Sequence, residues 1–127
     1  MVHDSDKVSL SEQLKQRTKQ FAVRVIQMYR ALPKAKEAEV IGHQVLRSAT
    51  GAAANYRAAC RARSHAEFAA KMGIVVEEID ETVFWLELLV ETDIVPEKRM
   101  QDLLAETHEL LAVFAASQRT ARTKKPQ

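Results

Sequence analysis

The chain has 127 residues, 46% of them hydrophobic and 28% charged, with a formal net charge of +2. That length suits a single domain of roughly 100–150 residues, the composition argues against disorder, and no segment approaches the ~18 uncharged apolar residues that a membrane span needs. Three Gly and three Pro, against about 12% combined in average chains, leave too little turn chemistry for a many-stranded fold, so helices are expected.

Residues 1–8 carry acids and no apolar run, and are expected to form a disordered segment, neither signal nor transit peptide. Beyond them Leu10, Leu14, Thr18, Phe21, Val25, Met28 and Leu32 recur at alternating steps of four and three. This is one face of a helix. Ser9 or Ser11 can cap its start and Pro33 closes it, so the first helix should run from about residue 9 to 31.

A second helix is expected from near Lys36, through Ile41, Val45, Ala49, Ala52, Tyr56 and Ala59, breaking near Ser64. It is rich in alanine and poor in large apolar side chains, and it contains Gly42 and Gly51. Each glycine costs about 1 kcal/mol relative to Ala inside a helix, a cost accepted where backbones approach closely. Ser64 and Glu67 then form the S-x-x-E pattern of a capping box. The third helix follows with Phe68, Met72, Val75, Ile79, Val83, Leu86 and Val90, to about Thr92. Pro96 suits the first turn of the fourth, with Glu97 placed against the helix dipole. Met100, Leu103, Leu104, Thr107, Leu111 and Phe114 continue its apolar face, and from Arg119 onward a basic, flexible tail is expected.

Short connections between four amphipathic helices predict an all-α, antiparallel up-down-up-down bundle over residues 9–118. Folding the second helix back on the third brings Arg47 level with Asp80 and Glu81, and His43 and Gln44 beside Phe84 and Trp85. A turn near residue 94 sets His108 opposite Glu81. A structural polar layer of Arg47, Glu81 and His108 is therefore expected across the bundle. The alternative is a metal or acid/base site on the same groups. A di-metal bundle, however, needs a Glu-x-x-His motif on each of two helices, and the chain has no such motif. No cofactor is expected. Cys60 stands alone, so no intramolecular disulfide can form, and its thiol fits a reducing cytoplasm and a helix-packing role.

The same antiparallel order gathers cations at one end: Lys15, Lys19, Arg57, Arg61, Arg63, Arg119, Arg122, Lys124 and Lys125, together with Lys7 and Arg17. Clustered cations release counterions when they meet a phosphate backbone, which makes this end the candidate for RNA or DNA. A solvated face is the plainer reading. No phosphate-cradling glycine loop, zinc knuckle or RNA-recognition signature accompanies it.

The string "QVLRSATGAAANYRAACRARS", followed by "EFAAKMGIVVEEIDETVFWLELL", resembles the four-helix-bundle family that includes proteins encoded in intervening sequences of bacterial 23S rRNA genes. The resemblance runs from about Phe21 to Leu89. It rests on Gln44, Leu46, Arg47, Ser48, Ala54-Asn55, Ser64, Phe68, Glu78, Glu81-Thr82 and Trp85-Leu86. Many relatives have a glutamate three residues after the asparagine. Here Ala58 takes that place, so any role of that acid does not carry over. The resemblance implies a homopentamer. A more distant similarity, to the accessory protein of diversity-generating retroelements, implies a pentamer that binds nucleic acid and a reverse transcriptase. No established activity comes with it, and the family name records the location of a gene.

The small side chains of the second helix are thus expected to admit both its own bundle and a neighbouring copy. Gln44, Ser48, Asn55, Tyr56, Phe84 and Trp85 are the interface candidates. The expected protein is non-enzymatic, soluble and homo-oligomeric, with RNA, DNA or a nucleoprotein as possible partner at its basic end. The rival is a docking oligomer with no nucleic-acid role.

Overall fold

The computed structural model describes residues 9–123, all of whose regular elements are α-helices: α1 (Leu10–Arg30), α2 (Lys36–Ala59), α3 (His65–Glu91) and α4 (Glu97–Thr123). The expectations for residues 1–8, and for Lys124 and Lys125, lie outside the described residues. Local chemistry sets the boundaries. Ser9 Oγ accepts from the Glu12 amide at 3.1 Å and starts α1. At its end the amides of Ala31 and Leu32 turn to the carbonyls of Met28 and Tyr29, a tightening that precedes Pro33. α2 begins without a side-chain cap, but Glu37 and Glu39 in its first turn face the positive end of the dipole.

Ser64 Oγ accepts from the Glu67 amide at 3.0 Å, as the capping box requires. The return bond goes one residue further back, to the amide of Arg63, which donates to Glu67 Oε2 at 3.4 Å. α3 closes through Asp93, whose φ of 60° lies in the left-handed region, and the amides of Ile94 and Val95 both reach the Leu89 carbonyl. Aspartate is one of the few residues that tolerate this geometry.

α2 lies against both α1 and α3, and α4 against α3 and, over a shorter stretch, α1. This is the up-down-up-down order. The core is built from one stripe per helix: Phe21 and Val25; Val45, Ala49, Ala52 and Tyr56; Met72, Val75, Ile79, Leu86 and Leu89; and Met100, Leu103, Leu110 and Phe114. Tyr56 and Phe114 meet across it with ring centroids 4.8 Å apart. Burial raises the Tyr56 phenol above its ordinary pKa, helped by the nearby Cys60 thiol. The buried hydroxyls are satisfied. Thr18 and Thr107 donate to the carbonyls of Leu14 and Leu103, and Thr82 donates to Glu78, which leaves Ser48 Oγ to donate to Thr82 Oγ1 at 2.7 Å. Gly42 is buried where α2 crosses the end of α1. A β-carbon there would sit 2.7 Å from the Tyr29 ring and 2.8 Å from Leu32, so hydrogen is the side chain that this approach allows.

α4 runs to Thr123, five residues past the expected end of the bundle at residue 118. The sequence pattern fades at Arg119 because Ala121 is the one core residue of the last turn. Ala121 is buried nonetheless, and its carbonyl is bonded to His65 Nε2 at the start of α3. Residues 119–123 are therefore helix, a correction to the expected flexible tail.

The short α1–α4 seam is pinned by Arg17. Its Nε and Nη2 donate to the two carboxylate oxygens of Glu106 at 2.8 and 2.7 Å, and Nη2 also meets Glu109 at 3.1 Å. The Glu106 carboxylate holds the guanidinium well above its ordinary pKa. Arg17→Ala is expected to lower stability by about 1 kcal/mol, between the values for exposed and for bidentate pairs, because the group stays partly in water. Urea denaturation with an unchanged slope checks it, and a double-mutant cycle with Glu106→Gln isolates the pair. No described helix is long and apolar enough to cross a membrane.

Candidate nucleic-acid interface

The turn at Pro33 fixes how α1 and α2 run past each other. The register that lays Gly42 against Tyr29 and Leu32 carries Lys15 to the level of Arg57, and Lys19 to the level of Ala53 and Ala54. Between the helices is an open groove of about 420 Å³. Its walls are Lys15 and Lys19 from α1 with Arg57 and Arg61 from α2, its floor is Ala53 and Ala54, and Glu12 and Gln16 complete it. The alanines make the depression possible, since any longer side chain at those positions would fill it. Four cations thus converge against one carboxylate. Glu12 Oε2 lies 2.8 Å from Lys15 Nζ, and that hydrogen bond lowers the carboxyl pKa below its usual range. Arg57 and Arg61 are exposed and make no ion pair among the described residues.

The remaining basic residues divide. Arg63, in the α2–α3 connection, and Arg119 and Arg122, on the last turns of α4, are exposed at the same end but line no part of the groove. Arg17 is taken up by Glu106 and Glu109. Residues 72–91 of α3 carry Glu77, Glu78, Asp80, Glu81, Glu87 and Glu91 and no cation at all. The acids of α3 and the unpaired arginines of the groove therefore lie on different helices.

The expected polar layer is corrected in two respects. Arg47 does pair with Glu81, and also with Glu78 at 3.4 Å, and the hydrogen bond that it donates to the Glu81 carboxylate is the main reason its guanidinium pKa is raised. The Arg47 side chain is 50% exposed, however, so the layer lies on the α2–α3 seam and not inside the bundle. His108 is not part of it. Thr107 takes the buried position on α4, which turns its neighbour about 100° away, onto the exposed face, where His108 makes no ion pair or hydrogen bond among the described residues. No three His, Cys, Asp or Glu side chains gather there in an arrangement that could hold a metal ion, among the described residues.

Two of the interface candidates are also corrected. Ser48 and Tyr56 are 0% and 4% exposed and belong to the monomer's own core, because their stripe on α2 faces α3 and α4. Gln44 and Asn55 are half-buried. Gln44 accepts from Arg47 Nε at 3.1 Å, and Asn55 donates to the Gly51 carbonyl at 2.8 Å. Phe84 stands 54% exposed, edge-on to a half-buried Trp85 at 4.8 Å. The Trp85 indole N–H is buried without a hydrogen-bond partner among the described residues. Sequence reasoning missed the pairing of Glu12 with Lys15, Gln16 in the groove and Glu78 beside Arg47. The spacing of Glu12 from Lys15, three residues on one helix face, is a signal that could have found the first of these.

The sequence model of the 23S rRNA-intervening sequence protein family matches residues 11–116. Among solved structures, the chain is similar to a protein of unknown function from the S23 ribosomal protein family of Bacteroides thetaiotaomicron. The two are 30% identical with a TM-score of 0.79, over 86% of this chain and 97% of that one. No curated protein matches the chain.

Proposed function

We propose, from the premise that this chain belongs to the 23S rRNA-intervening sequence protein family, that it is a non-enzymatic, homo-oligomeric bundle that binds nucleic-acid backbone along the α1–α2 groove. The observation that carries this reading is the convergence of Lys15, Lys19, Arg57 and Arg61 on one groove whose only acid among the described residues is Glu12. A site built for a reaction would add a positioned nucleophile, and no Ser, Thr or Cys lines the groove among the described residues. Phosphate backbone asks only for spaced positive charge.

Assembly is supported by apolar side chains left exposed outside the groove. Phe84, Val40 and Ile74 are large apolar side chains at 54%, 55% and 39% exposure, and a homopentamer is the state that the family resemblance implies. An exposed aromatic held edge-on to Trp85 also suits the second reading, a docking oligomer with no nucleic-acid role.

A gel shift with a labelled oligonucleotide across a salt series separates the two. The Arg57→Ala, Arg61→Ala double variant is expected to bind at least about tenfold more weakly, with helical content unchanged, while Arg63→Ala changes binding much less because Arg63 is outside the groove. Wild-type protein that shifts no oligonucleotide at low salt, yet is oligomeric by native mass spectrometry, would establish the second reading instead.

A further inference from the structure

One stripe of α3 has no partner within the bundle. Ile74, Glu77, Asp80, Phe84, Glu87 and Glu91 follow one another at steps of three and four, and all are exposed. Such steps keep side chains on one side of a helix, the seam that one helix offers to another. α3 is already packed on α2 and α4, so the stripe is left to solvent with a 54% exposed aromatic ring near its middle. Its carboxylates make no ion pair among the described residues.

The α1–α2 groove matches that stripe in shape and in charge. From its floor at Ala53 and Ala54, Arg57 lies three or four residues on and Arg61 seven or eight; from Phe84, Glu87 lies three on and Glu91 seven. At a rise of 1.5 Å per residue these are steps of about 5 and 11 Å on both helices. A ring seated on the alanines therefore carries one carboxylate to the height of each arginine. A chain cannot fill its own groove in this way, because α3 lies on α2 and α4 and not on α1. Resting on the homo-oligomeric, nucleic-acid-binding reading above, we infer that the α3 stripe of one copy docks, Phe84 innermost, in the α1–α2 groove of the next, and that nucleic acid binds by displacing it. Two stripes or two grooves set face to face would oppose like charges, so the contact is head-to-tail, and it repeats until a ring closes. The stripe and a phosphate backbone offer Arg57 and Arg61 the same thing, a row of spaced anions, which makes them competitors.

Native mass spectrometry and sedimentation of the full chain test this. Phe84→Ala is expected to weaken assembly at least about tenfold with the urea midpoint of the single copy unchanged, because the ring is exposed there. A Glu87→Arg, Glu91→Arg preparation and an Arg57→Glu, Arg61→Glu preparation, each with unchanged circular dichroism, should both be monomeric, since each sets like charges against one another. Mixing the two should restore assembly, because the groove of the first accepts the stripe of the second. A fluorescein-labelled 12-nucleotide oligo-dT at low salt should release wild-type assemblies into strand-bound protomers. A mixture that stays monomeric, or a charge-reversed preparation that assembles as the wild type does, overturns the docking. Oligo-dT bound with the assembly intact overturns the competition and leaves the nucleic-acid role standing. If the mixture assembles and no oligonucleotide binds, the nucleic-acid role falls and the docking stands. A monomeric wild type overturns the docking and the homo-oligomeric reading together.

Discussion

Replacing Phe114 with alanine is expected to lower the unfolding free energy by about 3–5 kcal/mol, the range for large-to-small changes at buried aromatics. The ring is 0% exposed and lies against Tyr56 at 4.8 Å, so one residue from α4 and one from α2 fill the core between helices that are not sequence neighbours. Removing it leaves a void lined by groups that are already held by their own helices and cannot collapse far. Total stability of a domain this size is about 5–15 kcal/mol, so the variant should be marginal or unfolded in urea at concentrations that the parent survives. A loss below about 1 kcal/mol would mean that Tyr56 is free to follow the retreating surface, contrary to the packing described.

Ala52→Leu is expected to destabilise by about 1–3 kcal/mol through overpacking, with Ala54→Leu as its counterpart two residues on. Ala52 is 0% exposed, whereas Ala54 is exposed on the groove floor. The same chemical change on the same helix should leave stability within about 0.5 kcal/mol at the exposed site and instead obstruct the oligonucleotide. Urea midpoints and oligonucleotide affinity for the pair separate the two uses of small side chains. Equal destabilisation of both variants would mean that the floor of the groove is part of the packed interior.

That contrast also shows how far the sequence could be read. Every helix limit but the end of α4 was legible because it is written in local chemistry: Ser9 and Ser64 as caps, Pro33 as a break, Pro96 as the mark of α4's start. The sparse furnishing of α2 was legible as a sign of close approach, but its recipients were not. Ser48 and Tyr56 face the protein's own core, a matter of which stripe of α2 meets α3, and a periodicity argument leaves that open when alanine occurs on more than one face of the helix. Arg47 beside Glu81 followed from antiparallel register alone. His108 failed because register gives height along a helix and says nothing of azimuth. The Arg17–Glu106 clamp was out of reach for a further reason: α1 and α4 are joined through two intervening helices, so their relative register accumulates every turn between them. The cations were readable residue by residue, while the groove that aligns them depends on Ala53 and Ala54 having nothing to put there.

An even number of antiparallel rods returns the chain to the pole from which it set out, so Leu10 and Thr123 open beside the Arg61 mouth of the groove. An appendage joined at Leu10 or Thr123 would start beside that mouth, whereas one spliced into the loop around Asp93 is delivered to the far pole. Affinity handles intended for work on this protein belong at the loop.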